Sequence, residues 1–304
     1  MPFFWTGGFS GGLLSVLIAG ATLLTESEPD PGATTRFLER QRVTLFRGWP
    51  DQAARLAAHP AFAAADLASF RPASLAAVLP PPQRPRPGAR ANLFGMTESA
   101  GPYCGARLDR DLPTDKHGSC GRPFAGTEVR IVEPESRQPV AAGIEGEIQL
   151  RGPNMMCGIC GRTRAETFDA EGFYATGDRG RLDEDGYLWF AGRRDDMFKV
   201  RGATVYPTEV ENALRSIPGV AQAFVTDVTA SDGAQEVAAL IVSTADQESI
   251  AAAMHARLSA FKVPTLWLVV PDPGNVPMAA TAKVDKSALQ HLLRTRGVRP
   301  AGRG

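Results

Sequence analysis

A run of prolines around residue 80 divides the chain into parts that must fold differently. Residues 80–87 contain five prolines. Proline lacks the backbone N–H that helices and central strands require, so this stretch can neither continue a helix nor lie inside a sheet. We therefore interpret residues 72–90 as an extended connector, with helical patterns before it and short strands after it.

The amino-terminal residues 3–24 are mostly apolar, but glycines interrupt them and no Lys or Arg precedes them. A signal peptide has a positively charged leader, and a membrane span needs about 20 apolar residues with few breaks, so the pattern predicts neither. It predicts a buried helix at Leu13–Ala19, ended by Gly20, and a buried strand at Ala21–Thr25. A chain seldom begins inside its core, which indicates a missing amino-terminal portion.

Two helices are predicted before the connector, at Pro31–Arg42 and Gln52–Ala58. After the connector, from about Thr127, the pattern changes to short strands separated by turns. Asp185-Gly186 is typical of a hairpin between the last two strands. The predicted strands are Glu128–Val132, Gly146–Arg151, Gly172–Thr176, Arg181–Asp183 and Tyr187–Ala191.

A second compositional unit begins near Gly192. Strands and helices alternate in it, which predicts a small α+β domain with its own sheet. The tail 297–304 is rich in Gly, Pro and Arg and is predicted to be disordered. The predicted strands are Met197–Val200, Thr204–Tyr206, Val220–Val228, Glu236–Ser243 and Thr265–Val270, and the helices are Pro207–Ser216, Gln247–Ser259 and Asp285–Arg296.

The charge and cysteine content narrow the classes of function. Lys and Arg together number 33, and so do Asp and Glu, which does not favour binding to nucleic acid or to an anionic membrane. Four cysteines are too sparse for a disulfide framework, which indicates a reducing compartment and a cytoplasmic protein. Cys157 and Cys160 form a C-x-x-C pair, which is either half of a zinc or redox site or a coincidence in a Gly-rich loop.

The stretch Asn92–Glu98, Asn-Leu-Phe-Gly-Met-Thr-Glu, places a hydroxyl and a carboxylate side by side after a glycine. A hydroxyl can bond a phosphate oxygen, and a carboxylate can hold Mg²⁺, a hard cation that prefers oxygen ligands. Taken alone, Thr-Glu after Gly also fits a common turn or helix cap. The stretch is therefore a candidate site for a phosphate and a metal ion. Whether this interpretation is favoured over a plain turn depends on the motifs in the rest of the chain.

Three further stretches combine charged side chains with turns. Tyr174–Asp178 ends in an Asp just past a strand, which can accept two hydrogen bonds from ribose hydroxyls. Gly192–Gly202 contains Arg193, whose planar guanidinium suits ribose and phosphate oxygens, and Pro207–Glu211 follows it. Pro277–Lys283 ends in a Lys whose ammonium can bridge a carboxylate and a phosphate. Each stretch taken singly also fits a solvated turn.

Together and in this order, the four stretches resemble the adenylate-forming superfamily of acyl-CoA synthetases, peptide-synthetase adenylation domains and luciferases. The resemblance extends from Pro2 to about Leu293 and indicates an AMP-forming acyl-CoA synthetase. It implies an α/β large domain with a β-barrel remnant, followed by a small α+β carboxy-terminal domain. The expected bounds are 1–191 for the truncated AMP-binding domain, with a barrel-like part at about 120–191, and 192–296 for the mobile small domain.

The resemblance implies roles for five residues on the nucleotide side. Phe94 flanks the adenine ring, Thr97 contacts the α-phosphate, and Glu98 binds Mg²⁺. Asp178 holds the ribose of AMP, and Arg193 binds ribose and phosphate.

The resemblance also implies that the small domain moves during the reaction. Asp195 is the hinge about which the small domain swings, and Lys199 and Gly202 lie on the face presented for thioester formation. Lys283 is the catalytic lysine. Its loop departs from the family pattern, since Met278 replaces a basic residue, Ala279 replaces Thr, and Ala282 replaces a flexible Gly.

The amino-terminal Trp5, Gly7 and Gly8 resemble the acyl-pocket segment of the family, with Trp5 at the place of a His. A large aromatic side chain there favours an apolar acid, such as a medium or long aliphatic acid of fatty acid metabolism or an alicyclic one. The family's Gly-rich loop, which cradles the β- and γ-phosphates of ATP, has no counterpart in this sequence.

The expected reaction is that of an acid–thiol ligase, in which a carboxylic acid, ATP and CoA give acyl-CoA, AMP and pyrophosphate through an acyl-adenylate. ATP or AMP, Mg²⁺ and CoA are the expected ligands, and neither nucleic acid nor an integral membrane segment is expected. Two alternatives stay open. One is a catalytically inactive descendant that binds AMP, an acyl-CoA or a partner protein, and the other is a zinc or redox protein built on Cys157 and Cys160.

The missing phosphate loop generates a first prediction. We expect the isolated chain not to catalyse exchange between ATP and pyrophosphate with any carboxylic acid, because nothing in it matches the cradle for the two outer phosphates. An isotope-exchange assay on purified chain checks this. Robust exchange that disappears in Lys283→Ala would contradict it.

Overall fold

The computed structural model describes residues 3–26, 30–200, 203–230, 233–279 and 283–299. The chain divides into two compact units. The first consists of Met1–Thr176 and Gly180–Phe190, and the second of Gly177–Arg179 and Ala191–Gly304. Each unit has its own hydrophobic clusters.

The first unit begins with helices that cover a small core. Asp30 caps the second helix by accepting a hydrogen bond from the Ala33 N–H at 2.8 Å, and Pro31 occupies its first turn. The helices are α1 (Ser15–Ile18), α2 (Pro31–Arg40), α3 (Pro50–Ala58), α4 (Pro60–Ala64) and, later in the chain, α5 (Arg164–Thr167). A π-helical segment, Gly7–Leu14, precedes α1.

The proline-rich connector does more than span a distance. It contains two short 3₁₀ turns, Ala76–Val78 and Pro81–Gln83, and no strand. Val78 and Leu79 are buried in one cluster with Leu38, Ala53, Leu56 and Phe70 of the helical part. The connector therefore closes the helical core, because Val78 and Leu79 pack in one cluster with residues of α2 and α3.

The strands of the first unit form two sheets. One has the order β1-β2-β3 and is antiparallel, and the other has the order β4-β5-β6-β7. Leu188, Ile148 and Leu150 are fully buried in their shared cluster with Tyr103. The strands are β1 (Phe94–Met96), β2 (Gly101–Gly105), β3 (Arg122–Pro123), β4 (Glu128–Val132), β5 (Gly146–Arg151), β6 (Tyr174–Leu182) and β7 (Leu188–Arg193).

The strand predictions for this part hold with two differences. The bounds of β4 and β5 are confirmed, and so is the hairpin turn at Asp185-Gly186, where Gly186 has φ +77°. The two strands predicted at Gly172–Thr176 and Arg181–Asp183 are one strand, β6, which continues through Gly177 although that residue has φ +73°. Strands β1 to β3 were not predicted, since each is short and rich in Gly or Pro.

The prediction for the amino terminus is wrong in detail. The helix spans the Gly-rich stretch itself and continues to Ile18, where Leu17 and Ile18 are 66% and 87% exposed. Residues 21–26 are exposed coil, not a buried strand. Apolar composition alone suggested burial, but no described element of this chain covers these side chains.

The second unit is built on a sheet with the order β10-β11-β12. Strand β11 lies in the centre, antiparallel to β10 and parallel to β12. Ala239 and Ile241 face one cluster with α6 and α7, while Ala238 and Leu240 face another with α8. Helices on both faces explain why β11 is apolar from Val237 to Val242. The elements are β8 (Phe198–Val200), β9 (Ala203–Val205), α6 (Pro207–Arg215), β10 (Val220–Thr229), β11 (Gln235–Ser243), α7 (Gln247–His255), β12 (Leu266–Val270) and α8 (Lys286–Arg296).

The interpretation of 297–304 as a disordered tail does not hold for its first residues. Val298 forms an antiparallel bridge with Trp267, and the two backbones exchange hydrogen bonds of 2.9 and 2.7 Å. Arg299 pairs with Glu236 on β11. Residues 300–304 lie outside the described residues. Residues 297–299 thus add an edge to the sheet next to β12.

Within the part of the chain that the structure describes, no helix combines the length and the apolarity needed to cross a bilayer.

The second unit generates a prediction about stability. Every buried residue of its two clusters comes from 198–293, so a fragment of residues 191–304 should fold alone and melt cooperatively. Leu214→Ala should lower its unfolding free energy by about 2–5 kcal/mol, because Leu214 is fully buried. Circular dichroism during heating measures both effects, and a flat melt of the fragment would contradict the prediction.

Candidate functional site

The Thr97–Glu98 pair lies on a sharp turn between β1 and β2. Ser99 braces this turn, since its hydroxyl donates to the Gly101 carbonyl at 2.7 Å and lies 3.1 Å from the Met96 carbonyl. Ala100 adopts a left-handed backbone with φ +55°, which reverses the chain into β2. The Thr97 side chain is thereby exposed at the apex. Ser99 was not singled out from the sequence, although a Ser hydroxyl often bonds nearby backbone groups in turns.

Glu98 is half-buried and its backbone is anchored. Its carbonyl accepts a hydrogen bond of 2.7 Å from the Met156 N–H, which ties the turn to the loop after β5. Between described residues, no hydrogen bond or ion pair engages the Glu98 carboxylate. A carboxylate beside an exposed hydroxyl, with neither committed to a protein partner, can accept a cation and a phosphate oxygen.

Phe94 is held by two other aromatic rings. Its ring centroid lies 5.4 Å from that of Tyr103, in an edge-to-face arrangement, and 4.6 Å from that of Phe190. Tyr103 is only 2% exposed, so it cannot shift. Phe94 itself is half-buried, and its position is therefore set by packing instead of by a ligand.

Gly95 is required by a close approach of two backbones. A Cβ atom at residue 95 would overlap the carbonyl oxygen of Gly101 and the Cα of Pro102. The register of β1 and β2 also shifts between Phe94 and Gly95. Any side chain at this position would push the strands apart and move the turn that carries Thr97.

Asp178 and Arg193 meet within the second unit. The Arg193 guanidinium donates to the Asp178 carboxylate at 3.1 Å, and the Asp178 side chain is 7% exposed against 45% for Arg193. The Gly177 carbonyl accepts the Arg194 N–H at 2.8 Å, which fixes the two strand ends to each other. The structure thus brings together the two residues that the resemblance places on the ribose.

The segment around Asp195 is an exposed turn beside a tightly packed glycine. Gly192 has φ +151°, and a Cβ there would lie 3.2 Å from the Tyr206 ring. The Arg179 guanidinium lies 5.4 Å from the centroid of the same ring. Asp195 has 71% of its side chain exposed, with only a distant contact of 3.9 Å to Arg194. The Asp195 side chain of this turn is thus exposed to solvent, while the neighbouring Gly192 packs against Tyr206. Tyr206 was not identified from the sequence.

Lys199 lies on an exposed edge of the β8–β9 hairpin, opposite Thr204. Gly202, predicted to share this face, lies outside the described residues. Helix α6 follows the hairpin and carries Glu209 and Glu211. The Lys262 ammonium donates to both carboxylate oxygens of Glu209, at 2.6 and 2.7 Å. Burial raises the pKa of Glu211, which accepts a hydrogen bond from the Val225 N–H at 3.0 Å.

Lys283 is exposed shortly before α8. Met278 forms an antiparallel bridge with Val284, and the Lys283 carbonyl accepts the Ala279 N–H at 2.8 Å. Asp285 then caps α8 by accepting the Ala288 N–H at 3.0 Å. Thr281 and Ala282 lie outside the described residues. Lys283 is therefore held at its backbone by both neighbouring elements while its ammonium stays in solvent.

The predicted acyl-pocket residues lie in and before the π-helical segment. Gly7 and Gly8 belong to that segment, and Gly8 is buried. Trp5 precedes it, and its ring centroid lies 6.2 Å from that of Trp49, in an edge-to-face arrangement. The structure groups Trp5, Phe94, Thr97 and Glu98 in the first unit, and Asp178, Arg193, Asp195, Lys199 and Lys283 in the second.

The cysteines lie in two different environments. Cys157 and Cys160 are exposed free thiols, and Cys104 and Cys120 are buried free thiols. Burial raises the pKa of the Cys120 thiol to about 11 and that of Cys104 still further, so both are unreactive. Among the residues that the structure describes, no group of three or more His, Cys, Asp or Glu side chains could hold a metal ion.

Comparison with known proteins gives consistent relatives. The profile of the family described as AMP-binding enzyme matches residues 1–160. A feruloyl-CoA synthase from an Amycolatopsis species is 36% identical over 273 residues, which cover 86% of this chain and 55% of the relative. The 3-[(3aS,4S,7aS)-7a-methyl-1,5-dioxo-octahydro-1H-inden-4-yl]propanoyl:CoA ligase of Mycobacterium tuberculosis is 34% identical over 304 residues, with coverages of 96% and 57%.

A solved structure agrees over nearly the whole chain. The anthranilate CoA ligase AuaEII, in complex with anthranoyl-AMP, is 25% identical and superposes with a TM-score of 0.75, covering 96% of this chain and 58% of that one. The mixed sheets and helices of this chain are thus those of adenylate-forming enzymes. The chain spans little more than half the length of these relatives.

The close approach at Gly95 generates a prediction. Gly95→Ala should lower the unfolding free energy by about 1–3 kcal/mol, because the new methyl group forces β1 away from β2. Denaturant unfolding followed by tryptophan fluorescence measures the effect. Gly158→Ala is the matched control, since a Cβ there meets nothing within 4 Å and should change stability by less than about 0.5 kcal/mol. Equal effects of the two substitutions would contradict the close approach.

Proposed function

Because this chain belongs to the family of AMP-binding enzymes, we propose that its protein is an AMP-forming acyl-CoA synthetase. The reaction joins a carboxylic acid to CoA at the expense of ATP, through an acyl-adenylate, and releases AMP and pyrophosphate. The names of the relatives support this proposal, since both curated relatives are CoA synthases or ligases. A cytoplasmic location is part of the proposal.

The observation that carries the proposal is the braced turn with its two uncommitted polar groups. Thr97 would bind an oxygen of the α-phosphate, and Glu98 would hold Mg²⁺. A single carboxylate fits this ion, because Mg²⁺ in nucleotide sites is commonly held by one or two carboxylates together with phosphate oxygens and water. Bound Mg²⁺ neutralises phosphate charge as the acid attacks. Phe94, fixed by Tyr103 and Phe190, would then flank the adenine.

Three charged residues of the second unit would complete the first half-reaction. Asp178 and Arg193 would hold the ribose, since their ion pair already orients a carboxylate and a guanidinium toward each other. The exposed Lys283 ammonium would bridge the acid's carboxylate and the α-phosphate as negative charge develops there. Positioning and charge neutralisation are the main sources of rate in such a transfer.

The second half-reaction would use the face that carries Lys199. The proposal assigns residues 120–191 to a remnant of the family's β-barrel and 192–296 to its mobile small domain. The exposed turn at Asp195 would serve as the hinge, and the anchored Gly192 beside it would limit the movement to that turn. The thiol of CoA would then attack the acyl-adenylate beside the β8–β9 hairpin.

Three of the relatives suggest a class for the acid. Feruloyl, the reduced indenyl propanoyl group and anthranoyl all carry a ring next to a short chain or directly on the carboxyl carbon. A ring-bearing acid is therefore the proposed substrate class, in preference to a linear fatty acid.

Binding of AMP tests the proposal directly. Calorimetric titration of AMP with Mg²⁺ into the chain should show a single site. Thr97→Val should weaken this affinity by about tenfold or more, because it deletes a hydrogen bond to a charged phosphate while keeping the shape of the side chain. The control is Thr114→Val, which removes a second exposed threonine that also begins a 3₁₀ turn in the same unit.

Two results would contradict the proposal. One is the absence of AMP binding by the wild-type chain, and the other is an equal affinity of Thr97→Val and Thr114→Val. Binding of AMP without any catalysed turnover in the full-length protein would instead favour a nucleotide-binding descendant of the family.

A further inference from the structure

Two tryptophans far apart in sequence form one aromatic pair at the amino-terminal end of the first unit. The Trp5 and Trp49 ring centroids are 6.2 Å apart, with their planes at 70°. Neither ring is buried, since Trp5 is half-buried and Trp49 is 39% exposed. Large aromatic rings that are paired with each other and still open to solvent present an apolar, polarisable surface of fixed shape.

The backbone fixes Trp49 in this position. Trp49 immediately precedes α3, and Pro50 sets the first turn of that helix. The Trp49 N–H lies 3.4 Å from the Gln52 side-chain oxygen, which closes the helix start. On the other side, the Phe9 N–H donates to the Trp5 carbonyl at 2.8 Å, which ties Trp5 to the π-helical segment that begins at Gly7. Both rings thus project from the ends of ordered elements.

The segment that follows Trp5 lies close to the turn that carries Thr97. The π-helical segment approaches this turn through Ser10, because a Cβ atom at Gly101 would lie only 3.8 Å from the Ser10 Cβ. Gly101 itself accepts the hydrogen bond from Ser99 that braces the turn. One short segment therefore links Trp5, at its start, to the candidate phosphate site, at its middle. An acid whose carboxylate reaches the α-phosphate would extend from that turn along this segment.

We propose that Trp49, paired with Trp5, determines the specificity of the acid site and selects acids that carry a ring over linear acids of equal size. This inference rests on the proposed function, and it adds a residue that sequence reasoning did not single out. An aromatic or alicyclic ring can pack its whole face or edge against the two tryptophan rings. A linear chain loses rotational freedom when it packs there, so its gain in binding free energy is smaller.

The test uses two non-hydrolysable acyl-adenylate analogues, 3-phenylpropanoyl and nonanoyl sulfamoyl adenosine, which contain equal numbers of acyl carbon atoms. Affinities for both analogues and for AMP are measured by calorimetry on the whole chain. The variants are Trp49→Leu, which keeps an apolar side chain, and Trp49→Phe, which keeps a ring. Leu45→Ala is the control, because it removes a side chain that is 45% exposed from the same segment without touching the pair.

The wild-type chain should bind the phenylpropanoyl analogue about two- to tenfold more tightly than the nonanoyl one. Trp49→Leu should remove this preference by weakening only the ring analogue, and Trp49→Phe should keep most of it. Affinity for AMP should stay unchanged in all variants, which also shows that they are folded. A preference that survives in Trp49→Leu, or an equal loss for both analogues, would overturn the inference while leaving the proposed function intact. Failure of AMP and both analogues to bind would overturn the two together.

Discussion

The approach of two glycine backbones, Gly95 on β1 and Gly101 on β2, is the constraint on which the candidate site depends. The strands come so close there that no side chain fits at residue 95. This closeness allows Ser99 to bond the Gly101 carbonyl and turn the chain within three residues. Thr97 and Glu98 consequently lie at the apex of the turn. Among the described residues, no protein group forms a hydrogen bond with their side-chain oxygens.

The second unit meets a different requirement, which is to keep its own core closed. Strand β11 is buried on both faces, between α6 and α7 on one side and α8 on the other. No residue of the first unit belongs to either cluster. A domain with such a closed core can change its position as a rigid body, which a hinge at Asp195 would require. Gly192 packs closely on Tyr206, so the backbone that would move in such a hinge would end at Gly192.

Much of the fold could be predicted from the sequence, for physical reasons that differ between elements. Alternating or continuous apolar runs bounded by turns identified β4, β5 and β11 almost to the residue, because burial on fixed faces dictates the pattern. Strands β1 and β2 escaped prediction because the close approach requires glycine, which has no strand propensity. The amino-terminal segment was assigned to the core on apolar composition, and composition does not reveal whether another element covers a side chain.

The roles of the candidate site residues stay predictions, and their contacts could not be read from the sequence. Thr97, Glu98, Asp178, Arg193 and Lys283 were singled out by motifs. Ser99, Tyr206 and Trp49 were not, because their significance arises from partners that only the folded chain brings near. Each of the three supports a motif residue, which is a role that leaves little trace in a single sequence.

The central claim is that the β1–β2 hairpin holds the adenine end of a nucleotide. Photolabelling with 8-azido-AMP, followed by peptide mapping, tests it most directly. The account predicts that the label falls on the peptide containing Phe94 and Tyr103, and that excess AMP protects that peptide. Labelling confined to the second unit away from Asp178, or labelling that AMP does not suppress, would contradict the account.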